Sequence, residues 1–220
     1  AKETSDIFAD AAAAAASFSI GVAGGVALMD ATVNSSVSTF IDDARIDVDN
    51  IAIEAANQAR VPRNFTVGVA GSAGVGVVQN RATTNITPLT STTLIDADIT
   101  ADTIAVTASG DHLGHAEADG GAFGGVADTG MVARTNLGRG AGIDEVRATV
   151  GSGSELNADE VVIRATATDD VAALTTAASV GIVAVEASKS QVESHLQPHA
   201  GVDGAIIQAD NVTIVSQHDQ

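Results

Sequence analysis

Asp49, Asp102, Asp159 and Asp210 hold the same place in four short segments that align without gaps. A carboxylate recurring at one position of a repeat has two uses. Stacked one above another, such groups could form a ladder for Ca²⁺, which takes oxygen ligands. Alternatively, each aspartate makes a corner, since Asp bonds its own backbone readily and tolerates left-handed geometry. The corner is the simpler reading and is preferred here. The calcium-binding nonapeptide GGxGxDxUx is absent, and GGAFGGVADTG (Gly120–Gly130) and GRGAGIDEV (Gly138–Val146) only approximate it.

Other residues carry metal or catalytic chemistry in principle. His112 and His115 lie in DHLGHAEAD beside Asp111, Glu117 and Asp119, a fair ligand composition. His195 and His199 flank Pro198. Both pairs read as solvated loop histidines. Asp42-Asp43 and Asp169-Asp170 are the acid pairs closest in sequence. Adjacent side chains of a strand point to opposite faces, so neither pair converges on one substrate bond. No GxSxG nucleophile elbow and no phosphate-cradling loop occurs. Thr90, Thr92 and Thr93 cluster in one stretch that reads as a loop, not as a ranked Thr-x-Thr face. The chain is therefore expected to have no catalytic, cofactor-binding or tightly bound metal residues. Loose calcium binding is compatible with its acidity.

The elements that position these residues come from a repeat. IDVDNIAIEA (Ile46–Ala55), ITADTIAVTA (Ile99–Ala108), LNADEVVIRA (Leu156–Ala165) and IQADNVTIVS (Ile207–Ser216) share an aliphatic, a small residue, Asp, and then an alternating aliphatic run. The intervals between anchor aspartates are 102 − 49 = 53, 159 − 102 = 57 and 210 − 159 = 51. A second signature precedes each: Ile41-Asp42, Ile95-Asp96, Ile143-Asp144 and Val202-Asp203. The long third unit points to an insertion of about eight residues around GSGSELNA. Pro88 and Pro198 precede their anchors, Asp102 and Asp210, by similar intervals and are expected to mark one bend. Strict alternation means half-buried strands meeting at a corner.

A unit of this kind cannot enclose a core alone and must stack on copies of itself. The fold expected is all-β: a β-solenoid, parallel β-helix-like, of about four stacked units with the 51–57 period of the anchors, each with two or three turns. The approximate units are 1–55, 56–108, 109–165 and 166–220 of one continuous array. Both ends fall within a unit and no polar cap is evident, so a segment of a longer chain is expected.

Composition agrees. Apolar residues make up 45% of the chain but aromatics only 2%, with five Phe, no Trp and no Tyr among 220 residues. Small and β-branched side chains must fill a narrow interior. With 10 Lys and Arg against 28 Asp and Glu, the net charge of −18 opposes nucleic acid and anionic lipid. The absence of Cys excludes disulfides and thiolate zinc sites. Ala11–Met29 is uncharged throughout, but its Ala, Gly and Ser content suits a recurring strand region better than a membrane span. Similar runs occur at Val67–Val78, Gly120–Val126 and Ala172–Val185.

The Ala-Asp-x-[Ile/Val]-x-[Ile/Val]-x-Ala motif followed by GVAGGVALM- or GVAGSAGVGVV-type runs resembles the repeat regions of very large bacterial surface proteins. These are the filamentous-haemagglutinin-like and leukotoxin-like adhesins. The resemblance extends over essentially the whole chain. It implies an extracellular, elongated, structural or adhesive segment without catalytic residues. Its partners would be neighbouring repeat units of the same or identical chains, with receptor contacts elsewhere in a parent protein. Nucleic acid and membrane insertion are not expected. The main alternative is a subunit of a self-assembling filament or sheath, and a weaker one is a calcium- or carbohydrate-binding module.

Overall fold

The structure, a computed structural model, describes residues 2–17, 21–138 and 146–220; of residue 3 and residues 5–17 it describes the backbone alone. The Ile143-Asp144 signature lies outside the described residues. The fold is all-β, and the described residues form no helix. The strands are β1 (Lys2–Ser17), β2 (Val22–Asp47), β3 (Asn50–Ser72), β4 (Val75–Leu137), β5 (Val146–Val150), β6 (Glu155–Ser194), β7 (Pro198–Val202) and β8 (Ile206–Asp219). All belong to one sheet of parallel pairs.

The register states how the chain repeats. Ile51 pairs with Ile104, Ile104 with Val161, and Val161 with Val212. The steps between those partners (104 − 51, 161 − 104, 212 − 161) equal the intervals between successive anchor aspartates. Each hydrogen-bonded neighbour is thus a whole repeat away. The expectation of two or three turns per repeat is corrected: one repeat makes one rung. The long β4 spans more than one period, and residues at its two borders bond across that period: Val126 N donates to Gly74 O at 2.9 Å, and Gly138 N to Ile86 O at 2.8 Å.

Within a rung the chain runs out along one arm and back along another, and the arms face each other. Thr92 Oγ1 donates to Thr107 O at 2.6 Å, Thr84 Oγ1 to His115 O at 3.1 Å, and Thr135 Oγ1 to Ala172 O at 2.7 Å. Asn64 Nδ2 reaches Thr83 O at 2.6 Å, and Ser35 Oγ donates to Asn57 Oδ1 at 2.9 Å. These bonds explain why the polar Thr/Asn stretches are strand and not loop. A short polar side chain facing inward reaches the opposite wall and satisfies itself there.

The core lies between the arms and changes along them. Near the aspartate corners it is built from Ile86, Leu94, Ile99, Ile104, Leu156 and Ile163, all fully buried. Toward the far end it thins to Ala70, Ala82, Ala118, Ala122 and Ala133 around Met131. There the walls approach closely: a Cβ on Gly120 would lie 2.5 Å from Met131 Cε and 2.7 Å from Gly68 O. Of the phenylalanines with described side chains, Phe40 and Phe123 are exposed and Phe65 is half-buried beside Arg63.

The corners differ from expectation. Among the described non-glycine residues, only Asp43 (φ 48°) and Asp96 (φ 49°) are left-handed. The anchor aspartates turn the chain without that geometry. The left-handed bend is continued in later rungs by Gly153 (φ 77°) and Gly204 (φ 70°). At Gly153 a Cβ would fall 1.8 Å from Asp96 Oδ1, so glycine is required twice over.

The insertion is also relocated. Gly138 N bonds Ile86 O, a separation of 52 (138 − 86), whereas Gly151 N bonds Leu94 O, a separation of 57 (151 − 94). Five added residues therefore fall ahead of GSGSELNA, and one more falls within its start, where the register grows from 150 − 94 = 56 to 155 − 98 = 57. Pro88 pairs with Ser35, while Pro198 stands in the column of Val37, Thr90 and Val146, two positions on. The prolines thus mark neighbouring columns and not one shared position.

Candidate functional site

Two groups of titratable residues stand out. The first is the corner after β2, where Asp47, Asp49, Asp102, Asp159 and Asp210 line an open groove with Val48. The register stacks the four anchors in single file, with Asp102 N donating to Asp49 O at 2.7 Å. Successive rungs are about 4.8 Å apart, and all four side chains are exposed. One carboxylate per rung gives a line of charge and no enclosing shell, while Ca²⁺ takes about 6–8 oxygens. Among the described residues, no group of three or more His, Asp or Glu is placed to hold a metal ion.

The second group is inside. His112 is 1% exposed and belongs to β4, not to a solvated loop as its sequence suggests. It faces inward, whereas Asp111, His115, Glu117 and Asp119 alternate onto the outer face. The two histidines therefore cannot share a metal. His115 Nε2 instead lies 3.5 Å from Asp170, and Asp111 receives Arg60 and Gln58. Burial holds His112 well below the ordinary imidazole range, at about 4, against the opposing pull of Asp111 and Asp169. Neither ring nitrogen has a hydrogen-bond partner among the described residues. Glu117 is raised above the ordinary carboxyl range, first by burial and then by the like charge of Asp119, with Arg63 opposing.

Asp169 is the register partner of His112, and its side chain is fully buried. Ser194 Oγ donates to one carboxylate oxygen, and His218 Nε2 lies 3.0 Å from the other. Serine, histidine and aspartate together invite comparison with a nucleophilic triad. In a triad the serine gives its proton to the imidazole and the aspartate orients the opposite ring nitrogen. Here serine and histidine both engage the aspartate, so the imidazole is not placed to take the serine proton. The arrangement satisfies a buried carboxylate. Its neighbour Asp170 points outward, so the alternation that separates adjacent acids holds at this pair. Asp42 and Asp43 are both exposed beside the left-handed bend.

His195 and His199 lie apart from this cluster. His195 N bonds Leu137 O at 2.8 Å, and its ring lies 3.9 Å from Glu193; His199 pairs with Arg147 in the ladder. Thr90 and Thr92 are fully buried in β4, while Thr93 faces outward toward Thr149 at 3.5 Å. They line no common face.

No family model, no curated protein and no solved structure matches this chain. The Asp169 cluster was not visible in sequence, because it joins residues 169, 194 and 218 through a register that alternation alone does not supply.

Proposed function

We propose that this chain is a stretch of β-solenoid with a mechanical role, the shaft of a bacterial surface adhesin, without catalytic activity. The single observation that supports it most is the whole-period register. Every repeat donates its inward aliphatics to a core that its neighbours complete, as Ile104 and Val161 do at one level. The adhesin assignment and the extracellular location come from the motif resemblance. The neighbouring repeats are its immediate partners, and any receptor contact belongs to other parts of a parent protein.

The dimensions refine this reading. An arm such as Asn50–Ser72 has 23 residues and would span up to about 75 Å if straight. One rung adds only about 4.8 Å along the stack. Each repeat therefore contributes breadth more than length, and the segment is a broad slab. That breadth favours the second reading, a unit that assembles side by side into a filament or sheath.

Small-angle scattering of the monomer tests the stacked architecture. The account expects a flat particle whose longest dimension lies across the rungs. An isotropic, compact particle would exclude it.

A further inference from the structure

Ten Lys and Arg are spread through a chain of net charge −18, yet three of them converge. Arg81, Arg134 and Lys189 line one groove on the outer face of β4 and β6, with Asp30 of β2. Arg81 meets Asp30 at 3.4 Å, leaving one carboxylate among three cations. Among the described residues, Arg134 Nε is shielded from solvent and has no acceptor, and Lys189 is exposed without an ion pair. The cations come from successive rungs: Leu28 pairs with Arg81, and Val132, two residues before Arg134, pairs with Lys189. Thr83 and Asn85 add polar groups, and the exposed Val26 and Leu28 border the next cleft along.

The acidic corner has the complementary pattern. Asp102, Asp159 and Asp210 offer one exposed carboxylate per rung, beside the small apolar column of Val48, Ala101, Ala158 and Ala209. The spacing of both lines is set by the same hydrogen-bonded ladder, about 4.8 Å per rung. Two copies lying side by side with parallel stacking axes would therefore set Arg81, Arg134 and Lys189 opposite Asp102, Asp159 and Asp210, rung for rung over three rungs. An unrelated acidic partner has no such built-in match.

We infer that the Arg81/Arg134/Lys189 groove docks the aspartate corner of a second copy of this chain, giving lateral association. The inference rests on the side-by-side reading above and supplies its contact. Opposing it is the mutual repulsion of two strongly acidic bodies. That repulsion acts at long range and is screened beyond about 8 Å at physiological ionic strength, whereas contact pairs persist until the screening length nears about 3 Å at 1 M salt. Association should thus be weak at low salt, greatest near physiological salt and weak again at high salt.

Sedimentation velocity on the 220-residue chain across this salt series tests it, with two triple variants. R81E/R134E/K189E reverses the groove, and D102K/D159K/D210K reverses the corner. Arg81, Lys189 and the three aspartates are exposed and Arg134 is half-buried, and circular dichroism checks that the strands persist. Each variant alone should associate at least about tenfold more weakly than the parent, and an equimolar mixture should recover association. A groove variant that associates as well as the parent overturns the inference, even if scattering still shows a flat stacked monomer. So does a parent chain that stays monomeric at every salt concentration. Capture of sulfated dextran by a monomeric parent but not by R81E/R134E/K189E would also overturn it, assigning the groove to an acidic polysaccharide.

Discussion

His112 shows how a buried side chain can carry a solution signature. Its folded-state value of about 4 lies below the ordinary 6.5, so the unfolded chain binds the extra proton first as pH falls. Stability from this group is complete above pH 6.5 and is lost as pH drops toward 4, amounting to about 3 kcal/mol by the standard conversion. Thermal melts between pH 7 and 5 should show the decline, and His112→Asn should flatten it. An unchanged slope in the variant would remove His112 from the account. Asp169 was legible only as half of an adjacent acid pair. Its bonds to Ser194 and His218 depend on contacts across the arms. Removing one partner of a buried, hydrogen-bonded charge leaves it uncompensated. Ser194→Ala and His218→Ala should each lower the unfolding free energy by about 1–3 kcal/mol in a denaturant titration.

At the scale of the elements, the anchor motif was readable because period-two alternation has one physical meaning in a half-buried strand. Ile51, Ile53 and Ala55 face the same side, and the last two are buried. The stretch with Thr90, Thr92 and Thr93 reads as a loop because polarity usually marks solvent. In this narrow interior Asn64 and Thr84 bond the facing arm instead. The spacing of equivalent residues could be counted from the sequence. How many times the chain folds back within that spacing could not, since the corners at Asp43 and Asp96 carry no glycine to announce them. Two substitutions probe the tapered core. Ile104→Ala, in the wide part, should cost about 2–5 kcal/mol as a cavity mutation. Gly120→Val, where the walls nearly touch, should destabilise by about 1–3 kcal/mol or more through overpacking. A neutral Gly120→Val would mean that the arms are further apart than described.

At the scale of the whole molecule, the repeat acts as a ladder that sets both stability and surface pattern. Its interior needs neighbours, which is why small side chains suffice where a globule of this length would use aromatics. Its exterior repeats charges at the rung spacing, so an acidic corner and a basic groove become parallel lines. Both consequences depend on one rung per repeat. The chain has no cysteine, so labels can be placed freely. Thr107 and Arg164 are register partners although a whole repeat separates them in sequence. Nitroxides on Thr107→Cys and Arg164→Cys, read by dipolar broadening in electron paramagnetic resonance, test the register most directly. With backbones one rung apart, about 4.8 Å, the paired spectrum should be strongly broadened relative to the single labels. A paired spectrum equal to the sum of the two singles would contradict the account.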